Sequence, residues 1–102
     1  MTISDLKLFS PIRVGNVDLA HRVVLAPLTR CRADKHHVHT DLAVQYYGQR
    51  ASVPGSLLIT EATFIAPRAG GQDHIPGIWS DEQVAAWKRV RDPSACPECN
   101  SK

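Results

Sequence analysis

Val23-Val24-Leu25-Ala26-Pro27-Leu28-Thr29-Arg30 and Leu57-Leu58-Ile59-Thr60-Glu61-Ala62-Thr63 are two apolar runs that each end in polar residues. Runs of this length, bounded by charge or turn residues, suit strands buried on both faces. The first strand is expected over about Val23 to Leu28 and the second from about Ser56. Between them, Thr40-Asp41 reads as an N-cap with an acidic first turn, opening a helix through about Ala51. Leu42, Tyr46 and the stem of Gln49 can share one face of that helix. Pro54-Gly55 closes the segment. Strand, helix and strand make a βαβ unit whose strands are expected to be parallel neighbours. Ligands in parallel α/β folds sit at the carboxyl ends of strands, and Thr29 and Glu61 both lie there.

Upstream, Ile12-Arg13-Val14 and Val17-Asp18-Leu19 flank Gly15-Asn16, a hairpin signal with glycine where positive φ is tolerated. Downstream of Ala62, Pro67, Gly70-Gly71 and Pro76-Gly77 predict a long irregular segment of the kind that covers a site mouth. Ser80-Asp81-Glu82-Gln83 has the form of a capping box, with Val84 and Trp87 as the expected buried stripe of a second helix. Asp92-Pro93 should stop that helix. From Asp92 to Lys102 the chain has two prolines and no large apolar residue.

Composition narrows the function classes. The chain has 102 residues, 43% hydrophobic and 22% charged, with a formal net charge of +2. Arg30, Arg32 and Lys35 form only a small basic cluster, read as loop charges rather than a nucleic-acid stripe. No apolar run is long enough to span a bilayer, and the first residues lack the basic and apolar regions of a leader. A cytoplasmic location is expected, with no nucleic-acid or membrane partner. Three cysteines do not make the even, dense framework of a small secreted domain.

Four motifs occur in one order: Pro27-Leu28-Thr29-Arg30, Gln45-Tyr46-Tyr47-Gly48-Gln49-Arg50-Ala51, Ile59-Thr60-Glu61-Ala62-Thr63 and Pro76-Gly77-Ile78-Trp79-Ser80. Together they resemble the old yellow enzyme family of FMN-dependent NAD(P)H oxidoreductases, from about Phe9 to about Val90. The resemblance implies an α/β fold, the N-terminal slice of a (β/α)₈ TIM barrel in the order hairpin, then β-α-β-α. Because such a barrel needs ~250 residues, the barrel is expected to be incomplete. Residues 1–91 are read as the N-terminal part of the FMN-binding barrel domain. Residues 92–102 are read as a non-matching, disordered tail on a truncated chain.

The resemblance also assigns the site. FMN carries its reactivity in the isoalloxazine ring, and the protein holds the ring and tunes its charge. By match to the motif, Thr29 donates to the ring near O4, and the backbone of Ala26, Pro27 and Leu28 lines it. A subgroup of the family has Cys at this point; Thr29 places the sequence with the Thr-bearing group, and Cys31 lies two residues too late to substitute. Ala62 permits close approach of backbone to the flavin edge. Glu61, a lone carboxylate at a strand end, reads as a buried ion-pair partner rather than a general acid, since no second carboxylate completes a catalytic pair. The implied reaction passes hydride from NAD(P)H through FMN to an electron-poor alkene. The family's substrate-polarising His-His or His-Asn pair, its proton-donating tyrosine and its phosphate-clamping arginines have no counterpart here, so no catalytic residue is assigned in this chain.

Other features point elsewhere. His36, His37 and His39 lack metal-ligand spacing, and no metal is assigned. Trp79, Trp87, Tyr46 and Tyr47 read as core. Cys96-Pro97-Glu98-Cys99 is half of a zinc site or a dithiol without a second CxxC. Two alternatives to the enzyme reading stand beside it: a non-catalytic truncation product that self-associates through exposed strand edges, and a small binding module organised by the CxxC tail.

Overall fold

The fold was described from a computed structural model, for residues 5–92 of the chain. The expectations for Pro93 to Lys102, including the CxxC segment and the disordered tail, lie outside the described residues. A 3₁₀ turn over Lys7–Phe9 leads into β1 (Ile12–Val14) and β2 (Val17–Leu19), followed by β3 (Val24–Leu25), α1 (Asp41–Arg50), β4 (Leu57–Leu58), a 3₁₀ turn over Pro67–Ala69 and α2 (Asp81–Arg91).

The hairpin forms as its turn chemistry dictates. β1 and β2 are antiparallel, with Ile12 opposite Leu19 and Val14 opposite Val17. Gly15 sits at φ 59° and Asn16 does not have positive φ, the pattern of a type II′ turn. Leu19, 5% exposed, is the one buried residue of the hairpin strands. The hairpin leads to the amino ends of the next two strands, where the Ala20 amide donates to the Gly55 carbonyl at 3.0 Å.

β3 and β4 pair in parallel, Val24 with Leu57 and Leu25 with Leu58. They are far shorter than the apolar runs that contain them. The Ile59 amide still reaches the Leu25 carbonyl at 3.1 Å, but the ladder then ends. Pro27 has no N–H to continue it. The strand faces are also barely covered: Val23 is 49% and Val24 39% exposed. Among the described residues there are two two-stranded sheets and no closed barrel.

The buried residues lie instead around the helices and the loops that precede them. α1 buries Ala43, Val44 and Tyr47, a face offset from the one shared by Leu42, Tyr46 and Gln49. Tyr47 is the reason: its hydroxyl is bonded to Glu61, which turns that side of the helix inward. In α2 the buried positions are Gln83 and Ala86, while Val84 is exposed and Trp87 half-buried, so the expected Val84 stripe is displaced by one position. Gln83 sets that rotation. It completes the capping box with Ser80, its side-chain oxygen also accepts from the Trp79 amide at 2.8 Å, and its amide donates to the His36 carbonyl at 3.2 Å. A buried amide with every group satisfied is worth more in place than exposed, and the helix turns to keep it there.

One glycine is essential to this arrangement. Gly55 has φ 80°, and an added Cβ would lie 2.6 Å from the Ala20 Cβ, directly at the hairpin-to-strand junction. Gly48, within α1, has open space at the same position. Gly55→Ala is therefore expected to destabilise the chain by about 2 kcal/mol or more, and Gly48→Ala to stabilise it by about 0.5–1 kcal/mol. Denaturant unfolding of the two variants beside the parent checks both; equal effects would refute the packing assigned to Gly55.

Candidate functional site

The chain leaves β3 through Ala26-Pro27-Leu28-Thr29 and leaves β4 through Ile59-Thr60-Glu61-Ala62, so the parallel pairing brings both segments to one end of the sheet. Ala26, Pro27, Leu28, Thr29 and Ala62 are all exposed. The Thr29 hydroxyl makes no hydrogen bond among the described residues, so it is not a strand-end hydroxyl spent on nearby backbone. A side chain that presents an unspent donor at a strand's carboxyl end fits a ligand with an acceptor edge.

Glu61 sits beneath this surface and is only 5% exposed. Its Oε1 accepts from the Tyr47 hydroxyl at 3.0 Å, and its own amide donates back to the Tyr47 oxygen at 3.1 Å. Its Oε2 faces the Arg30 amide at 3.4 Å. The closest ring nitrogen is Nε2 of His39, 3.8 Å from Oε1. Burial lowers His39 to about 4, so the imidazole is neutral at pH 7. The expected ion pair is thus corrected: Glu61 is held by hydroxyl and amide donors, because its nearest basic group is too desolvated to carry charge. Burial, with the Glu61 charge adding to it, pushes Tyr47 up to about 12, which keeps the phenol protonated as a donor.

His39 is 4% exposed, stands edge-on to Trp87 at 4.3 Å between ring centroids, and has no hydrogen-bond partner on either ring nitrogen. His37 is separate from it in role, with Nδ1 2.6 Å from the Ile75 carbonyl and its ring against Phe64 and Trp79. No group of three metal-ligating side chains occurs among the described residues. Tyr47 is buried, whereas Tyr46, Trp79 and Trp87 are half-buried. Two guanidinium groups lie over the Tyr46 ring, Arg50 at 3.9 Å and Arg30 at 5.2 Å from its centre. Arg30, Arg32, Leu42, Tyr46 and Glu61 border a cleft of about 160 Å³ beside the strand ends.

Reading the sequence alone missed the Glu61–Tyr47–Arg30 linkage and the burial of His39. The signal for the first was present: a carboxylate ending an apolar run needs donors, and the adjacent tyrosines of α1 were available. Nothing marked His39, since a histidine in a polar loop is ordinarily solvated.

Residues 7–93 match the NADH:flavin oxidoreductase / NADH oxidase family. The chain is 57% identical over 86 residues to an NADP-dependent oxidoreductase of Aspergillus flavus, covering 84% of this chain and 23% of the relative. A chanoclavine-I aldehyde reductase of Penicillium roqueforti matches with the same identity and the same coverage. Among solved structures, an old yellow enzyme from a Pichia species superposes with a TM-score of 0.82 at 47% identity, over 87% of this chain and 23% of that one. The chain thus spans about a quarter of the length of the relatives it matches.

The buried imidazole gives a pH dependence of defined sign. In the unfolded chain His39 takes up a proton near pH 6.5, in the folded chain only near pH 4, so unfolding binds a proton between these values. Stability is expected to fall as pH drops through that window, by roughly 3 kcal/mol at most. Denaturant melts from pH 7.5 to 4 test this, with His39→Leu expected to lose that part of the slope. A stability that rises on acidification would mean that Glu61 holds His39 protonated.

Proposed function

The chain belongs to the NADH:flavin oxidoreductase / NADH oxidase family, and from that premise we propose that it supplies one edge of an FMN site in an NAD(P)H-dependent reductase of electron-poor alkenes, of the old yellow enzyme type. The observation that carries this reading is the exposed, unspent Thr29 hydroxyl at the end of β3, beside Ala62 at the end of its parallel neighbour. When bound, FMN supplies the redox chemistry, accepting hydride from NAD(P)H and delivering it to the β-carbon of an alkene conjugated to an electron-withdrawing group.

The protein's own residues bind and tune. The Thr29 hydroxyl would donate toward the ring edge where reduction gathers negative charge, which would favour the reduced form. Ala26, Pro27 and Leu28 offer exposed backbone and small or apolar side chains to the ring. Ala62 carries only a methyl group, which would let backbone come close to the ring edge. Proton donation, polarisation of the substrate and grip on the phosphate belong to groups without a counterpart among these 102 residues. The aldehyde reductases among the relatives support a small carbonyl-bearing substrate, with the alkene conjugated to that carbonyl. A cytoplasmic setting belongs to the same reading; among the described residues no helix is long and apolar enough to cross a membrane.

A second reading, a non-catalytic chain that self-associates, is favoured by an open apolar groove of about 520 Å³ along β3 and β4, bordered by Val23, Val24, Leu25, Val53, Leu57 and Leu58. Parallel edges and apolar faces left open in this way favour pairing with another copy.

Two outcomes are expected. The purified 102-residue chain should sediment as oligomers, retain no FMN through gel filtration and show no NAD(P)H-dependent alkene reduction, because ring contacts alone must offset the entropy of immobilising the cofactor. A yellow, active monomer would overturn this. With residues 1–91 joined to the rest of a relative's barrel, Thr29→Ala should leave flavin bound but lower its two-electron potential by about 30–60 mV, the value of one hydrogen bond to a charged group. An unchanged potential would remove Thr29 from its role.

A further inference from the structure

Resting on the flavin reading, we propose that Glu61 is a positioning residue for the cofactor edge, its carboxylate latching the segment after β3 to the segment after β4 and both to α1. Glu61 immediately precedes Ala62, and Arg30, whose amide faces Oε2 at 3.4 Å, immediately follows Thr29. The two residues assigned to the ring are therefore each one peptide unit from an atom that Glu61 controls. Tyr47 fixes Glu61 in turn, by donating to Oε1 at 3.0 Å and accepting from the Glu61 amide at 3.1 Å. Such a two-way pair sets both the side chain and the backbone of Glu61 against α1.

The latch is needed because the strand ladder does not reach the site. Backbone pairing ends at the Ile59 amide and the Leu25 carbonyl, three residues short of Ala62 and four short of Thr29. Beyond that point the two segments are exposed, and Glu61 is the buried side chain that bonds to both α1 and the segment after β3. Removing it frees Thr29 and Ala62 to move independently, and a ring edge held by two independent loops is bound less tightly.

The test uses the full chain and needs no turnover. Hydrogen–deuterium exchange resolved at the Arg30 amide is measured for the parent, for Glu61→Met, which keeps the bulk and removes both acceptors, and for Glu61→Gln, which keeps one. FMN affinity is measured alongside, by quenching of flavin fluorescence, for the same substitutions in residues 1–91 joined to the rest of a relative's barrel. Glu61→Met is expected to exchange at Arg30 about tenfold faster, the loss of one hydrogen bond of ordinary strength. Its FMN affinity should fall by a similar factor, with Glu61→Gln intermediate in both and the exchange of α2 amides unchanged. Unchanged exchange at Arg30, equal FMN affinity in parent and Glu61→Met, or a rise across α2 in step with Arg30 would each overturn the latch. If FMN does not bind the joined parent protein, the flavin reading falls and exchange at Arg30 still decides whether Glu61 joins the two segments.

Discussion

A carboxylate that is 5% exposed must be given donors, and the way Glu61 obtains them shapes the rest of the molecule. The donors are a phenol from α1 and a backbone amide from the segment after β3. Reaching Glu61 obliges α1 to present Tyr47 inward. Ala43 and Val44, on the same side, are then buried, and Leu42 is left 55% exposed beside the strand-end cleft. The energetic argument is one-sided. Each such hydrogen bond contributes only about 1 kcal/mol net, but an unpaired buried carboxylate costs several.

Gln83 plays the matching part for α2. Its side chain closes the capping box, accepts from Trp79 and donates to the His36 carbonyl, so it joins the helix start to the histidine-bearing loop. Trp87, one turn on, donates to the Gly77 carbonyl at 3.0 Å and meets His39 edge-on. The helices and loops are thereby fastened to each other more thoroughly than the strands are to anything. That explains the unusual distribution of burial, with apolar strands open and polar Gln83, His39 and Glu61 inside.

What the sequence made legible was whatever depends on near neighbours. The hairpin needs only Gly15 between two short apolar stretches, and the capping box needs only Ser80 and Gln83 three positions apart; both form as read. The parallel pairing of β3 and β4 was legible as well, because a helical crossover leaves little choice. Helix rotation was not, since the hydrophobic pattern alone cannot weigh a Tyr47 hydroxyl or a Gln83 amide against Leu42 or Val84. Strand length was not either: the apolar runs describe strands with covered faces, and the pairing stops after two residues where such cover is lacking. For the site, the motif around Thr29 and Ala62 led the reading to the strand ends, where both residues are exposed, while the donor to Glu61 was missed because Tyr47 lies on another element.

Thr40 shows how the same economy of donors extends along the chain. It stands at the N-cap of α1, but its hydroxyl donates to the Arg32 carbonyl at 3.2 Å instead of accepting from the helix. The helix start is thus tied back to the segment that carries Arg30 and Cys31, the latter at φ 55°. That strained turn redirects the chain just after Thr29, and non-glycine residues hold such a conformation only where surrounding bonds enforce it. The Arg32 carbonyl bond on one side and the Glu61 bond to Arg30 on the other supply that enforcement. Thr29, exposed and without a hydrogen bond among the described residues, stands directly before this fastened turn, so its backbone is held while its side chain stays open.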